Sequence, residues 1–213
     1  MRFADRTEAG QQLAKMLAGR TLERPVVLAL PRGGVPVALE VARALNAPLD
    51  LVMVRKIGLP GQPEVALAAV VDGGRPDLEV NEGIALQAGL NRLDIVKLAE
   101  PELAEIARRR ALYLAGRKSV PLAGRTVIMV DDGIATGATV RVALRAVRRQ
   151  GPARLILAVP VAPAAELDML RDLVDEVICL HAPEAFGAVG AWYADFTQVA
   201  DDDVIAMLAE AEA

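Results

Sequence analysis

The sequence predicts an α/β fold, a parallel sheet with helices on both faces, and three observations support this prediction. Short apolar runs alternate with amphipathic helical patterns along the 213 residues. Hydrophobic residues make up 54% of the chain, yet only three Phe, two Tyr and one Trp are present, so Ala, Val, Leu and Ile form the core, as in sheets buried on both faces. Neither a repeat nor a linker divides the chain, so we expect one domain over residues 1–213, with a small lobe formed mainly by residues 181–213.

Composition limits the compartment and the partners. The net charge of −4 gives no electrostatic reason to expect nucleic-acid or membrane binding. We interpret the Arg108-Arg109-Arg110 run as a solvated helix face, because Glu105 precedes it at ion-pair spacing. The single cysteine, Cys179, suggests a reducing compartment, and residues 1–10 lack the apolar core of a signal peptide. We therefore expect a cytoplasmic protein without nucleic-acid or membrane partners.

The chain begins with a helix, a strand and a glycine turn. Residues 5–19 have one apolar face at helical spacing, and we interpret Arg6 as an exposed helix arginine, although it could reach a phosphate. The apolar run 26–30 predicts a buried strand, which Pro31-Arg32-Gly33-Gly34 and a second helix follow. This turn is either an ordinary connection or an anion-binding loop that contains an arginine.

The middle of the chain predicts a lid and two helices. Residues 49–54 indicate a third strand, and residues 55–64 combine two cations with two glycines and two prolines, which favours a mobile loop. Residues 65–71 indicate another strand. Residues 81–117 have a helical pattern, and we expect two helices that break near Pro101.

The most informative stretch follows the apolar run 126–130. Asp131 and Asp132 come directly after this strand, and residues 133–139 form a turn with two glycines and two threonines before an amphipathic helix. Backbone N–H groups in such a turn converge on one point, and the helix dipole adds positive charge there. A phosphate fits this loop, and the adjacent carboxylates suggest a sugar diol, a Mg²⁺ ion, or both.

The C-terminal third continues the alternation and ends in an aromatic cluster. Residues 155–161 and 177–180 predict strands, and residues 164–173 predict a helix between them. Four of the six aromatic residues lie within residues 186–196, and acidic residues 201–203 favour the start of a last helix.

The strand, acidic pair and threonine-bearing turn resemble the signature of type I phosphoribosyltransferases, which bind 5-phosphoribosyl-1-pyrophosphate (PRPP). The resemblance implies that Asp131 and Asp132 hold the ribose hydroxyls and also Mg²⁺, through water or the ribose, and that they are catalytic residues. It implies a 5′-phosphate site made of Gly133, Ile134, Ala135, Thr136, Gly137, Ala138 and Thr139.

The resemblance extends to the pyrophosphate. The turn with Arg32, Gly33 and Gly34 resembles the short pyrophosphate loop of the family, which implies that these residues contact pyrophosphate. Residues 55–61 are similar to the Arg-Lys-x-Gly-Lys-Leu-Pro-Gly segment of adenine phosphoribosyltransferases without its second lysine. Arg55 and Lys56 would then neutralise the departing pyrophosphate, with Lys56 catalytic.

The resemblance gives conflicting indications about the acceptor base. Residues 186–196 resemble the base-binding segment of hypoxanthine–guanine enzymes, with altered spacing. Ala135 stands where those enzymes carry an aspartate proposed as general base, as in adenine enzymes. The residues implied near the base are Glu64, as a catalytic lid carboxylate, and Phe186, Val189, Trp192 and Asp195, of which Asp195 could also approach a metal.

The implied reaction exchanges the pyrophosphate of PRPP for a nitrogenous base, with purine-like bases favoured and Mg²⁺ as cofactor. The small lobe would form a hood over the base. The main alternative is a regulatory protein that binds PRPP without turnover, and another is a ribose-phosphate hydrolase. A homodimer is left open as the oligomeric state.

Overall fold

The computed structural model describes residues 2–72 and 76–211, which form two sheets and the helices around them. The helices are α1 (Arg6–Leu17), α2 (Gly34–Leu45), α3 (Glu82–Gln87), α4 (Arg92–Leu114), α5 (Ala138–Arg149), α6 (Ala164–Leu170) and α7 (Asp201–Glu210). The strands are β1 (Val26–Ala29), β2 (Leu49–Leu51), β3 (Met53–Leu59), β4 (Gln62–Asp72), β5 (Pro76–Val80), β6 (Thr126–Val130), β7 (Arg154–Val161) and β8 (Glu176–His181). Short 3₁₀ turns lie at Arg171–Leu173 and Val189–Trp192.

A five-stranded parallel sheet in the order β2-β1-β6-β7-β8 forms the centre of the fold. Successive residues of each strand point to opposite faces. In β1, Val27 and Ala29 pack in one core with α1, α2, α4 and α7, whereas Val26 and Leu28 pack in the other with α5 and α6. The predicted parallel sheet with helices on both faces is therefore confirmed.

The topology brings the two glycine turns together. Strands β1 and β6 are adjacent and parallel, with Leu28 opposite Met129, so their carboxyl ends lie at the same edge of the sheet. The Leu30 N–H donates to the carbonyl of Val130 at 3.0 Å, which extends this pairing to the point where both loops begin. In parallel α/β sheets, this edge is where ligands bind.

The predicted strand 49–54 and the predicted lid 55–64 are both wrong as secondary structure. The Val52 N–H donates to the Ala29 carbonyl at 3.0 Å, and the chain then leaves the parallel sheet to begin β3. Most of residues 55–64 belong to a hairpin of β3 and β4, which joins β5 in a three-stranded antiparallel sheet. The prolines and glycines that suggested a loop are concentrated at its turn, where Gly61 has a φ of 82°.

The break between α3 and α4 lies at residues 88–91 and not near Pro101, so that prediction is also wrong. Asn91 accepts hydrogen bonds from the N–H groups of Leu93 and Asp94, and the Asp94 carboxylate accepts from the Asn91 N–H. This capping box starts α4 and explains the break. Pro101 is exposed inside α4, where water can hydrate the carbonyl that proline leaves without a donor.

The arginine run on α4 is only partly a solvated face. Arg108 and Arg109 pair with Glu105, as the spacing predicted. Arg110 instead turns inward, with its side chain only 15% exposed, and pairs with Asp50 and Asp72 at 3.2 and 3.7 Å. Within the described residues, no helix is both long and apolar enough to cross a membrane.

Candidate active site

The acidic pair lies at the end of β6, in the middle of the parallel sheet. The Asp132 N–H donates to Asp131 Oδ1 at 2.9 Å, which fixes the first carboxylate against the second. Burial, and then the charge of Asp132, raise the pKa of Asp131 well above its usual value. Burial also raises the pKa of Asp132, and a hydrogen bond from Arg6 opposes that rise. Two carboxylates whose ionised forms are disfavoured provide a site that a cation or hydroxyl donors would stabilise.

The turn after the acidic pair forms a concavity of about 160 Å³ in front of α5. The Ile134 N–H donates to the Val161 carbonyl at 2.9 Å and anchors the turn to the end of β7. Gly137 has a φ of 64°, a left-handed conformation that glycine adopts without strain, and α5 starts at the next residue. The lining residues are Asp131, Gly133, Ile134, Ala135, Thr136, Gly137, Ala138, Thr139 and Val140. Free N–H groups at the start of a 12-residue helix favour an anion here.

The glycine turn after β1 packs directly on the acidic pair. A Cβ atom added to Gly33 would lie 2.1 Å from Asp132 Oδ2, and one added to Gly34 would lie 3.0 Å from the Asp131 Cα. Only glycine permits an approach this close. The peptide bond between Pro31 and Arg32 is cis. The two loops that the sequence singled out therefore meet in one place.

Arg32 extends from this turn toward the C-terminal helix. Its Nη1 atom lies 3.4 Å from Asp201 Oδ1, and the Tyr113 hydroxyl donates to the same oxygen at 2.7 Å. The hydrogen bond from Tyr113, with help from the charge of Arg32, lowers the pKa of Asp201. Arg32 thus lies at the edge of the site, paired with an exposed carboxylate.

Arg55 and Lys56 lie on opposite faces of β3. Arg55 Nε donates to Glu102 Oε2 of α4 at 2.6 Å. Lys56 is exposed and lines a cavity of about 410 Å³ between the hairpin and α5, which adjoins the concavity in front of α5 at Ala138. Glu64 is exposed on β4. The structure does not bring these side chains together with Arg32.

The aromatic segment, residues 186–196, packs onto the loop that follows the acidic pair. The Tyr193 hydroxyl donates to the Asp132 carbonyl at 2.5 Å, and Val189 Cγ1 would lie 2.5 Å from a Cβ added to Gly133. The rings of Phe186 and Trp192 stack at 6.4 Å between centroids and 20° between planes. The segment therefore places aromatic rings beside the acidic loop.

Asp195 lies in the same segment but is exposed. It accepts hydrogen bonds from the N–H and the hydroxyl of Thr197 at 2.9 and 2.6 Å, and these bonds lower its pKa.

The sequence reasoning also placed Arg6 wrongly. It is only 9% exposed, and its Nε donates to Asp132 Oδ2 at 2.8 Å. A sequence signal existed, because Arg6 precedes Ala9 and Leu13 by three and seven residues and so lies on the apolar stripe of α1. An arginine on the buried stripe of a helix needs a partner, and here that partner is Asp132.

The acidic pair could hold Mg²⁺ only together with ligands from a bound phosphate compound or from water. Among residues 2–72 and 76–211, no three His, Cys, Asp or Glu side chains form a group that could hold a metal ion. Mg²⁺ prefers six oxygen ligands and is commonly held by one or two carboxylates together with phosphate oxygens and water. Asp131 and Asp132, whose charge burial disfavours, fit the protein's part of such a site.

A concave turn at the start of a helix and an acidic pair at the centre of a parallel sheet, with a glycine turn against them, are features of the phosphoribosyltransferase class of α/β protein. The family model described as "Phosphoribosyl transferase domain" matches residues 5–196, and the chain belongs to this family. It is 44% identical over 206 residues to two Mycobacterium tuberculosis proteins, "Putative phosphoribosyl transferase Rv0571c" of strain H37Rv and its counterpart MT0597 of strain CDC 1551. Among solved structures it resembles TT1426 from Thermus thermophilus, with a TM-score of 0.85, 46% identity and 99% of both chains covered.

The match to the mycobacterial proteins covers nearly all of this chain but less than half of each relative. It covers 97% of this chain but 46% of each relative, so the chain spans about half the length of the curated relatives it matches.

Proposed function

We propose that this protein transfers the 5-phosphoribosyl group of PRPP to a nitrogenous base, with purine-like bases favoured, and releases pyrophosphate. The observation that carries the proposal is the contact between the two glycine-bearing turns. Gly33 lies against the Asp132 carboxylate, beside the concavity at the start of α5. The concavity at the start of α5, the acidic pair and the glycine turn after β1 lie in this order. PRPP would match it, because its ribose diol lies between a 5′-phosphate and a pyrophosphate.

Each part of the substrate has a place in this arrangement. The 5′-phosphate would accept hydrogen bonds from the N–H groups of residues 133–139 and from the hydroxyls of Thr136 and Thr139. The ribose hydroxyls would donate to Asp131 and Asp132. The pyrophosphate would accept from the N–H groups of Gly33 and Gly34 and from Arg32.

The chemistry requires stabilisation of opposite charges. Bond cleavage at C1 leaves positive charge on the ribose, which the two carboxylates offset, and negative charge on the pyrophosphate, which Arg32 offsets. Mg²⁺, held by Asp131, Asp132 and substrate oxygens, would supply further neutralisation of the pyrophosphate. Arg55 pairs with Glu102 and Lys56 lines a separate cavity, so we assign the β3–β4 hairpin the role of a lid that would carry both side chains toward the pyrophosphate. Glu64 on β4 would travel with it.

The acceptor would bind under the aromatic segment. Phe186 and Trp192 offer flat apolar faces for a planar base, and Val189 of the same segment packs against Gly133 of the acidic loop. Asp195 lies nearby as a polar group for the base or for a metal. Residues 181–213 would therefore act as a hood on a single domain, and the reaction would take place in the cytoplasm.

The test is a screen of purine and pyrimidine bases with PRPP and Mg²⁺, read by pyrophosphate release. We expect release with at least one base and none when Asp131 is replaced by asparagine. A PRPP-binding regulator would instead bind PRPP in calorimetry and release no pyrophosphate with any base. A protein that binds no PRPP in the presence of Mg²⁺ would contradict both interpretations.

A further inference from the structure

The environment of Arg6 connects three parts of the molecule. Its Nε donates to Asp132 Oδ2 at 2.8 Å, and its Nη1 donates to the Thr197 carbonyl at 2.8 Å. Its guanidinium carbon lies 3.9 Å from the ring centroid of Phe196. An arginine of the N-terminal helix thus joins the acidic loop to the end of the aromatic segment.

The Asp132 carboxylate is held from two sides. Arg6 binds Oδ2, and the backbone of Gly33 lies so close to the same oxygen that a Cβ atom there would be 2.1 Å away. The side chain of Asp132 is 14% exposed and that of Arg6 is 10% exposed. These two contacts fix Oδ2, and in the observed orientation Arg6 leaves Oδ1 to other partners.

The planar fork of arginine suits this position. The guanidinium binds a carboxylate, a carbonyl and an aromatic face at the same time, which a lysine ammonium on its flexible stem does not reproduce. Phe196 in turn lies against Gly190, where an added Cβ atom would be 2.8 Å from the ring. Arg6 therefore contacts the Asp132 carboxylate and the aromatic segment with the same side chain.

We propose that Arg6 is a positioning residue for PRPP, which holds the Asp132 carboxylate so that Oδ1 faces the ribose hydroxyls. The inference rests on the proposed function and adds a residue to its machinery. Arg6 itself does not touch the ribose. It acts through Asp132, and its positive charge offsets part of the negative charge that an incoming polyanion would otherwise meet.

The experiment measures PRPP affinity by calorimetry, with Mg²⁺, for the wild type and a set of matched variants. Arg6→Gln removes the charge and should raise the Kd for PRPP by about 10- to 100-fold, since a charge-assisted hydrogen bond orients the carboxylate. Arg6→Lys keeps the charge without the fork, and we expect an intermediate Kd, about 3- to 10-fold above wild type. Lys15→Gln, on the exposed side of the same helix, should leave the Kd unchanged.

The variant Tyr193→Phe tests whether Arg6 positions the Asp132 carboxylate or only stabilises the fold. Tyr193 also ties the aromatic segment to the acidic loop, but through the Asp132 carbonyl and not the carboxylate. We expect this variant to unfold at a lower temperature and to bind PRPP with the wild-type Kd.

The outcomes distinguish the inference from the function on which it rests. If Arg6→Gln unfolds more readily but keeps the wild-type Kd, Arg6 is a structural tie and the inference is wrong. Equal rises in Kd for Arg6→Gln and Tyr193→Phe would also overturn it, because loosening of the segment would then explain both. If Arg6→Gln does not fold, Arg6→Lys decides, and a wild-type Kd there contradicts the inference. A wild-type protein that binds no PRPP would refute the proposed function itself.

Discussion

Replacing Gly33 with alanine places one methyl group at the contact between the two loops. Gly33 has a φ of −60° and a ψ of −34°, which alanine adopts freely, so the substitution introduces no backbone strain. Its effect is purely steric. The new Cβ atom would lie 2.1 Å from Asp132 Oδ2 and 2.7 Å from its Cγ, so the whole carboxylate must move.

The size of the movement follows from the geometry. Cβ atoms essentially never approach another heavy atom closer than 3.0 Å, so Oδ2 must retreat by at least about 0.9 Å. A shift of that size exceeds the width of the usual hydrogen-bonding range of about 2.7–3.2 Å, so we expect it to disrupt the 2.8 Å bond from Arg6. Because a flexible side chain gives way, the loss of stability should stay within about 1–3 kcal/mol. The larger cost falls on ligand binding, where a misplaced carboxylate should raise the Kd for PRPP about 10- to 100-fold.

Calorimetry with PRPP and Mg²⁺, together with thermal unfolding, measures both effects. Gly83→Ala is the matched control, because Gly83 lies in α3 and an added Cβ atom would contact only Asn81, at an ordinary 3.5 Å. The control should keep the wild-type Kd and gain at most about 1 kcal/mol of stability. Wild-type affinity in a folded Gly33→Ala protein would refute the reasoning that the two loops form one site.

Three further predictions follow from the charges around the site. Burial and the neighbouring charge of Asp132 raise the pKa of Asp131, so the ionised pair destabilises the ligand-free fold increasingly as the pH rises from about 4 through the raised pKa. Asp131→Asn should therefore unfold at a higher temperature than wild type at pH 7 while losing turnover, and an unchanged unfolding temperature would contradict this. Arg32→Ala should raise the Kd for PRPP about 10- to 100-fold, whereas Arg43→Ala, on the exposed face of α2, should not, as titration of both variants would show. Asp201→Asn frees Arg32 from a competing carboxylate and should lower the same Kd by up to about fivefold, and a rise would show that the pair positions Arg32 for its ligand.

The parallel sheet and its loops were predictable because their signals are local. Strands β1, β6 and β7 are continuous apolar runs, which is typical of strands buried on both faces. The acidic pair and the glycine turn directly follow such a strand, so their position at the carboxyl edge follows from chain order alone. These elements require no knowledge of distant partners.

The hairpin and the long-range arginine pairings were not predictable because their partners are distant in the sequence. Residues 55–59 resemble a loop in composition, but β4 pairs along them and α4 and α5 cover the two faces. β5 carries three polar or proline residues in five and gives no apolar signal of its own. Arg6 lies 126 positions before Asp132, so the periodicity of α1 could place it on a buried stripe but could not identify its partner.

The structure also indicates how readily Arg32 and Arg55 could leave their present ion-pair partners to bind pyrophosphate. Arg32 pairs with Asp201, with side chains 32% and 47% exposed, and Arg55 pairs with Glu102, with side chains 37% and 25% exposed. Ion pairs this open to solvent contribute little to stability, whereas a charge-assisted hydrogen bond to a phosphate oxygen contributes about 1.5–3 kcal/mol. Pyrophosphate would therefore displace Asp201 as the partner of Arg32 without a change of fold. Arg55 differs, because it pairs with Glu102 of α4, and in our proposal the closing hairpin would bring it to the pyrophosphate. Substitution of Arg32 should thus affect the binding of PRPP, whereas substitution of Arg55 should affect closure of the hairpin.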